Sequence, residues 1–375
     1  MIVGVPGETK AGEHRVALTP DGARELVAHG HVVLVQAGAG DDSSIPDAEY
    51  AAAGAAIVGV DDAWTADLVV KVKEPQPDEY ARLRPETVLF TYLHLAAYPA
   101  VAAALLDARA TSLAYETVQL PGPGGALPLL APMSEVAGRM APQIGAHFLE
   151  REQGGRGVLL GGAPGVRPAR VVVLGAGNVG WNAAWIAQGM EAEVLLLDKN
   201  LDRLRWVDQI HKGRIMTLAS NRGAVERAVA EADLVIGAVL VAGGRAPVVV
   251  TEDMVRGMKR GAVIVDIAVD QGGCVATTRE TTHAEPVYVL HDVLHYAVGN
   301  MPGAVPNSST YALTNATLPY IVAVAERGVA AAVAEDPALR AGVNTVAGEV
   351  ANPAVAEALG RAVSDPLSLL GTTNR

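Results

Sequence analysis

Four side chains that could bind or act on a small acid lie at the carboxyl ends of predicted strands or in the loops that follow them. Arg15 lies in a polar loop after the first strand, Lys73 ends a strand at residues 68–73, and His94 follows a strand at residues 87–93. Asp270 comes after a later strand and before a pair of glycines. Ligands gather beyond the carboxyl ends of parallel strands, so neighbouring strands would bring such side chains to one edge of a sheet. An arginine fork and a lysine suit a carboxylate, and a histidine can move protons near neutral pH.

Each of these residues also has an ordinary structural explanation. Arg15 and Lys73 could be surface cations, and His94 could be a solvated histidine. Asp270 could cap a turn. Asp266, within the same predicted strand that precedes Asp270, suits a structural hydrogen-bonding role. Local sequence leaves these alternatives open.

Two further histidines, His291 and His295, have the i, i+4 spacing of a metal-binding pair on one helix face. No third ligand is visible in the sequence, and the segment follows a predicted strand. The sequence therefore predicts no metal site.

A glycine-rich turn between two apolar runs predicts a dinucleotide site. Gly175, Gly177 and Gly180 form a G-x-G-x-x-G pattern, and Asp198 ends the next apolar run. The first glycine allows a tight turn, the second lets a pyrophosphate approach the backbone, and the third lets the helix pack on the strand. Asp198 can accept hydrogen bonds from both ribose hydroxyls and would repel a 2′-phosphate, which favours NAD over NADP. The alternative is an ordinary glycine-rich turn.

The elements that must position these residues alternate along the chain. The first block predicts strands at residues 1–5, 32–36, 68–73, 87–93 and 111–115, with helices at 19–28 and 99–108. The second predicts a long helix at 134–152 and strands at 170–175, 193–198, 234–238, 263–266 and 287–290. After residue 306 the pattern becomes mainly helical. This order predicts an α/β fold of two Rossmann-like doubly wound domains separated by a cleft. We expect a catalytic domain at residues 1–128 plus 307–375 and an NAD-binding domain at 129–306.

Bulk composition narrows the function classes. The chain has 375 residues, a formal net charge of −12 and one cysteine. The charge argues against a nucleic-acid partner. No apolar run reaches the roughly 18 residues of a membrane span, and the N-terminus lacks the pattern of a signal peptide. We expect a cytoplasmic enzyme without a membrane partner.

Several ordered motifs together resemble the bacterial L-alanine dehydrogenase family along essentially the whole chain. They lie at residues 12–20, 70–75, 90–96, 114–118, 129–139, 265–273 and 300–306. The resemblance implies the reversible, NAD-dependent conversion of L-alanine to pyruvate and ammonium. It also implies a homo-hexamer.

The resemblance assigns roles to individual residues. Arg15 and Lys73 match the family's substrate-binding positions, and His94 and Asp270 match its catalytic pair. The implied cofactor contacts are Ser134, Gly175, Gly177, Asn178, Val179, Gly180, Asp198, Ser220, Val239, Asn300 and Met301. The chain departs from the pattern at Gly299, where we expect Ala, and at Asn307, where relatives usually have Arg.

Three other functions remain as alternatives. The nearest is an NAD(H)-binding subunit of the transhydrogenase type, which shares the two-domain plan. A more distant enzyme is a saccharopine-type dehydrogenase. A non-catalytic NAD-sensing module would bind NAD without turnover.

Overall fold

Two compact units make up the chain. The structure, a computed structural model, describes residues 1–122, 124–239 and 246–373, excluding the side chains of residues 270, 271, 372 and 373. The first unit combines Met1–Met133 with Val305–Arg375, and the second is Ser134–Ala304. The functional division into catalytic and NAD-binding domains stays a prediction.

The strands of the described residues follow in chain order. They are β1 (Ile2–Val5), β2 (Val32–Gln36), β3 (Ala56–Val58), β4 (Leu68–Val70), β5 (Val88–Thr91), β6 (Thr111–Ala114), β7 (Arg170–Leu174), β8 (Glu193–Asp198), β9 (Met216–Ala219), β10 (Leu234–Gly237), β11 (Val263–Asp266), β12 (Val287–Leu290), β13 (Val293–Tyr296), β14 (Val343–Val346) and β15 (Glu349–Val350).

The α-helices of the same residues are α1 (Pro20–Ala28), α2 (Asp47–Ala52), α3 (Val60–Trp64), α4 (Pro99–Asp107), α5 (Ala131–Phe148), α6 (Asn178–Gly189), α7 (Leu201–His211), α8 (Arg222–Glu231), α9 (Glu252–Arg256), α10 (Pro306–Arg327), α11 (Val329–Glu335), α12 (Pro337–Gly342), α13 (Pro353–Leu359) and α14 (Pro366–Thr373). The start of α1 is specified locally. Pro20 occupies the first turn, and the Thr19 hydroxyl accepts the Gly22 N–H at 3.3 Å.

The first unit is built on a mainly parallel sheet. Its described strands have the order β15-β14-β6-β5-β4-β1-β2-β3. Strands β1 to β6 pair in parallel, whereas β14 is antiparallel to both β6 and β15. Strands β1, β4 and β5 are consecutive neighbours, so the segments that follow them emerge at one edge of the sheet. Those segments carry Arg15, Lys73 and His94.

The second unit has a comparable sheet. The order of its described strands is β12-β13-β11-β10-β7-β8-β9, and only the β12–β13 pair is antiparallel. Val172, Val235 and Ile264, from three neighbouring strands, are fully buried in one apolar cluster. Burial on both faces explains why these strands appear in the sequence as unbroken apolar runs.

The predicted α/β class is confirmed, and several elements have the predicted bounds. Strands β2, β8, β11 and β12 begin and end where the sequence predicts, while the long helix begins at Ala131 and ends at Phe148. The C-terminal region is not only helical, because β14 and β15 complete the first sheet beside β6. Among the described residues, no helix combines the length and apolar character needed to cross a membrane.

Candidate active site

Arg15 is buried against an acid of its own loop. The guanidinium is 2% exposed, and its Nε and Nη2 donate to the two carboxylate oxygens of Glu13 at 2.6 and 2.5 Å. Its Nη1 also lies 2.8 Å from the Met133 sulfur. Burial alone would raise the pKa of Glu13, but the hydrogen bonds from Arg15 outweigh it and lower that pKa to about 2. The pair therefore fixes a charged guanidinium at the sheet edge.

Lys73 follows β4, on a backbone held by a buried acid. Glu8 accepts the N–H of Val72 at 2.6 Å and the N–H of Lys73 at 3.2 Å. The pKa of the Lys73 amine is lowered by burial and, next, by the positive charge of Arg15. The two predicted substrate-binding cations are thus close enough to interact electrostatically.

A buried lysine that sequence reasoning missed supports this backbone. Lys71 is 1% exposed, and its ammonium lies 3.3 Å from Glu8 and 3.0 Å from Glu79. Burial is the main influence on the pKa of Glu8 and raises it, while the charge of Lys71 opposes that rise. The position of Lys71 next to the apolar strand β4 is the sequence signal that could have indicated burial.

His94 sits in a left-handed backbone conformation, with φ of 47°. Its N–H donates to the Glu116 carboxylate at 2.6 Å, and the N–H of Leu93 donates to the same group at 3.3 Å. The imidazole stacks on the Tyr92 ring with centroids 5.8 Å apart, and its Nδ1 is 3.9 Å from Glu116. Tyr92 is itself anchored, because its hydroxyl donates to the Leu129 carbonyl at 2.5 Å. The ring is held in place yet 37% exposed.

The side chain of Asp270 lies outside the described residues. Its backbone belongs to a short 3-10 turn, Ile267–Gln271, directly after β11. Asp266 at the end of β11 is fully buried and accepts the N–H groups of Ala268 and Cys274, at 3.1 and 3.0 Å. The Thr278 hydroxyl also donates to Asp266, at 2.6 Å. Asp266 therefore has the structural role that its position in the strand suggests.

The glycine turn after β7 has the geometry that a dinucleotide needs. Gly175 has φ of 102°, and a Cβ on Gly180 would lie 1.7 Å from the Gly175 carbonyl oxygen. A Cβ on Gly177 would meet no described atom closer than the Arg203 guanidinium at 3.9 Å, so the turn is open there. Helix α6 begins at Asn178, and no described side chain caps its N-terminus. Open space and backbone N–H groups at a helix start fit a pyrophosphate.

Asp198 is fixed beside that turn. Its carboxylate accepts the N–H of Ala176 at 2.6 Å and the N–H of Asn200 at 2.7 Å. The Ser220 N–H donates to the Asp198 carbonyl at 2.9 Å, which places the ends of β8 and β9 together. Arg203, which sequence reasoning missed, has its guanidinium 3.8 Å from the Asp198 carboxylate. A positive charge therefore accompanies the acid that was predicted to select NAD.

The remaining predicted cofactor contacts all lie in the second unit. A Cβ on Gly175 would lie 3.3 Å from the Val239 nitrogen, so Val239 adjoins the glycine turn. Ser134 is in α5, Asn300 has φ of 60°, and Met301 is buried at the start of a 3-10 turn. The structure thus gathers Arg15, Lys73 and His94 in the first unit, and the glycine turn, Asp198, Ser220 and Val239 in the second.

The two histidines with metal-pair spacing are not on a helix. His295 lies in β13, where its ring bonds the Thr277 hydroxyl at 2.8 Å and the Val293 carbonyl at 3.0 Å. Burial lowers the pKa of His295 to about 4. His291 precedes the strand and pairs with Glu252 at 2.8 Å. In the part of the chain that the structure describes, no group of three or more such ligands could hold a metal ion.

Comparison with known proteins identifies the family of the chain. Residues 4–137 match the model of the alanine dehydrogenase/PNT N-terminal domain, and residues 141–353 match that of the C-terminal domain. The chain belongs to the alanine dehydrogenase/PNT family.

Individual members of the family agree with that assignment. An alanine dehydrogenase of Mycobacterium tuberculosis is 56% identical over 372 residues, which cover 99% of this chain and all of the relative. A solved L-alanine dehydrogenase structure has a TM-score of 0.94 at 50% identity, covering 96% of this chain and 99% of that one. The transhydrogenase of Sinorhizobium meliloti has a TM-score of 0.81 at 26% identity, covering 94% of this chain and 100% of that one. The predicted family is confirmed, and the transhydrogenase alternative is less supported. The prediction of NAD as cofactor is confirmed with the family.

Proposed function

We propose that the chain is an NAD-dependent L-alanine dehydrogenase, which interconverts L-alanine with pyruvate and ammonium. The observation that carries the proposal is the buried Arg15–Glu13 pair beside Lys73, at the same sheet edge as His94. Two cations and one half-buried histidine suit a small substrate that carries a carboxylate and exchanges protons.

The candidate site residues would have three different roles in the reaction. Arg15 and Lys73 would hold the substrate carboxylate by charge-assisted hydrogen bonds. His94 would take and return a proton through Nε2, because Nδ1 faces Glu116. Asp270 would orient the amine or the attacking water. NAD, when bound at the glycine turn and Asp198, supplies the redox chemistry by accepting a hydride.

The assay that tests this function follows NADH by its near-ultraviolet absorbance. We expect L-alanine alone to drive NAD⁺ reduction, and pyruvate with ammonium to drive NADH oxidation. His94→Ala should lose about a hundredfold in kcat, the usual scale of general acid–base catalysis, while NADH affinity measured by fluorescence is retained. A wild-type protein that binds NADH but shows no alanine-dependent reduction would instead fit a transhydrogenase-type subunit or an NAD sensor.

The homo-hexamer and the cytoplasmic location belong to the same proposal. The hexamer is implied by the resemblance, and the cytoplasmic location by the composition of the sequence. Sedimentation of the purified protein tests the first of them: a monomer at micromolar concentration would contradict the hexamer.

A further inference from the structure

One lysine connects the three segments that follow neighbouring strands of the first unit: it lies in one of them and contacts the other two. Lys10 lies in the loop between β1 and Arg15, and its ammonium pairs with the carboxylate of Glu74. Glu74 directly follows Lys73 in the chain. The same ammonium lies 4.9 Å from the centroid of the Tyr98 ring, in the segment that follows His94.

The loop that carries Lys10 also carries Arg15. The Glu13 N–H donates to the Lys10 carbonyl at 3.0 Å, which closes a turn between the two residues. Glu13 in turn holds the Arg15 guanidinium. Because this single turn links the two residues, a displacement of Lys10 would also move Arg15.

The buried Glu74 carboxylate is sensitive to the loss of its partner, Lys10. The residue is 3% exposed, and its Oε1 accepts from Lys10 and, at 3.5 Å, from the Gln76 amide. Its Oε2 is buried and, among the described residues, has no hydrogen-bond partner. A buried carboxylate with one unpaired oxygen depends strongly on the cation that remains.

Tyr98 provides the third contact. Its N–H donates to the His94 carbonyl at 3.1 Å, and it immediately precedes helix α4. The ring is 40% exposed and covers the Lys10 ammonium in a cation–π contact. The backbone N–H of His94 is held separately by Glu116, so His94 also has an anchor that does not involve Lys10.

We propose that Lys10 is a positioning residue that ties the Arg15 loop to the Lys73–Glu74 segment and so sets the spacing of the two cations that bind the substrate carboxylate. The inference rests on the proposed function. Because Lys10 acts on the two cations rather than on His94, its loss should raise KM for carboxylate substrates and leave kcat largely unchanged.

The test compares Lys10→Met, Lys10→Arg, Glu74→Gln and the double variant Lys10→Met/Glu74→Gln. We expect Lys10→Met to raise KM for pyruvate and for L-alanine about fivefold, on the scale of a partly exposed ion pair, with kcat and NADH affinity retained. Lys10→Arg should restore most of the affinity. Glu74→Gln should behave like Lys10→Met, and the double variant should be no worse than either, because both changes remove the same contact. Tyr98→Leu should raise KM by a smaller factor.

Lys212→Met is the matched control, an exposed lysine at the end of α7 in the other unit. Unfolding midpoints of all variants separate local repositioning from loss of fold. An unchanged KM in Lys10→Met, additive effects in the double variant, or an equal rise in the Lys212 control would each overturn the inference while leaving the proposed function standing. A wild-type protein without alanine-dependent turnover would overturn both.

Discussion

The buried pair of Glu13 and Arg15 has a consequence for stability as a function of pH. The pKa of Glu13 falls from an ordinary 4.5 to about 2 in the folded protein. A carboxyl group with a lowered pKa adds stability above its unfolded pKa, and that stability is lost as the pH falls from 4.5 towards 2. Part of the acid sensitivity of the first unit should therefore come from this group.

We predict that Glu13→Gln is less stable than wild type by about 3 kcal/mol at neutral pH, because the buried Arg15 then loses its charged Glu13 partner. At about pH 3 the difference should be smaller, since the wild type has by then lost more than half of the same contribution. Urea unfolding at both pH values measures the effect, with the exposed Glu86→Gln as control. A difference that is the same at both pH values would show that the carboxylate charge is not what stabilises the pair.

The sequence could single out the candidate site residues but not the residues that surround them. Arg15, Lys73 and His94 are visible because each follows an apolar run and is of a type that binds acids or moves protons. The acid that holds the His94 backbone, Glu116, is 22 residues away and on the segment after the adjacent strand. Its role depends on the β5–β6 pairing, which local pattern does not specify.

At the scale of elements, most strands that form apolar runs were predictable, whereas β3, β9, β13, β14 and β15 were not. Strands β8 and β11 stand out as apolar runs, whereas the edge strand β9 is largely exposed and lacks that pattern. Strand β14 follows Ala-rich helices and pairs with β6, where Val343 lies opposite Leu113. A pairing between positions so far apart in sequence leaves no local signal. The i, i+4 spacing of His291 and His295 suggested a helix, but the segment is the β12–β13 hairpin.

The glycine turn allows a prediction that separates binding from folding. We expect Gly177→Ala to fold normally, because the added methyl group has open space, yet to lose about tenfold or more in NADH affinity where the pyrophosphate would approach. Gly180→Ala should instead destabilise the second unit by about 3 kcal/mol, because its methyl group would collide with the Gly175 carbonyl oxygen. Thermal unfolding and NADH fluorescence titration distinguish the two effects.

Gly189→Ala is the matched control for both variants. It ends the same helix, α6, and an added Cβ would have no described atom within 4 Å. It should keep both stability and NADH affinity. Normal NADH binding by Gly177→Ala would remove this turn from the cofactor site.

At the scale of the whole molecule, the two units differ in the continuity of the chain within them. Ser134–Ala304 is one continuous stretch, whereas the first unit needs both Met1–Met133 and Val305–Arg375. The C-terminal part is integral to the first sheet: β14 covers β6, and the hydroxyls of Ser112 and Thr345 lie 2.7 Å apart. Truncation after residue 304 would uncover the edge of β6 and remove a buried strand.

We therefore predict that a fragment of residues 131–304, which keeps α5 whole, folds alone and binds NADH, because its sheet and its glycine turn lie within one continuous stretch. A chain ending at residue 304 should keep NADH binding but lose the cooperative unfolding of the first unit, since exposed β6 would lack its partner. Circular dichroism melts and NADH fluorescence on both fragments, with the full chain as reference, measure this. A 131–304 fragment that stays unfolded, while the full chain binds NADH, would show that the second unit needs the first to fold. Two cooperative transitions in the 1–304 chain would show that β14 and β15 are dispensable to the first sheet.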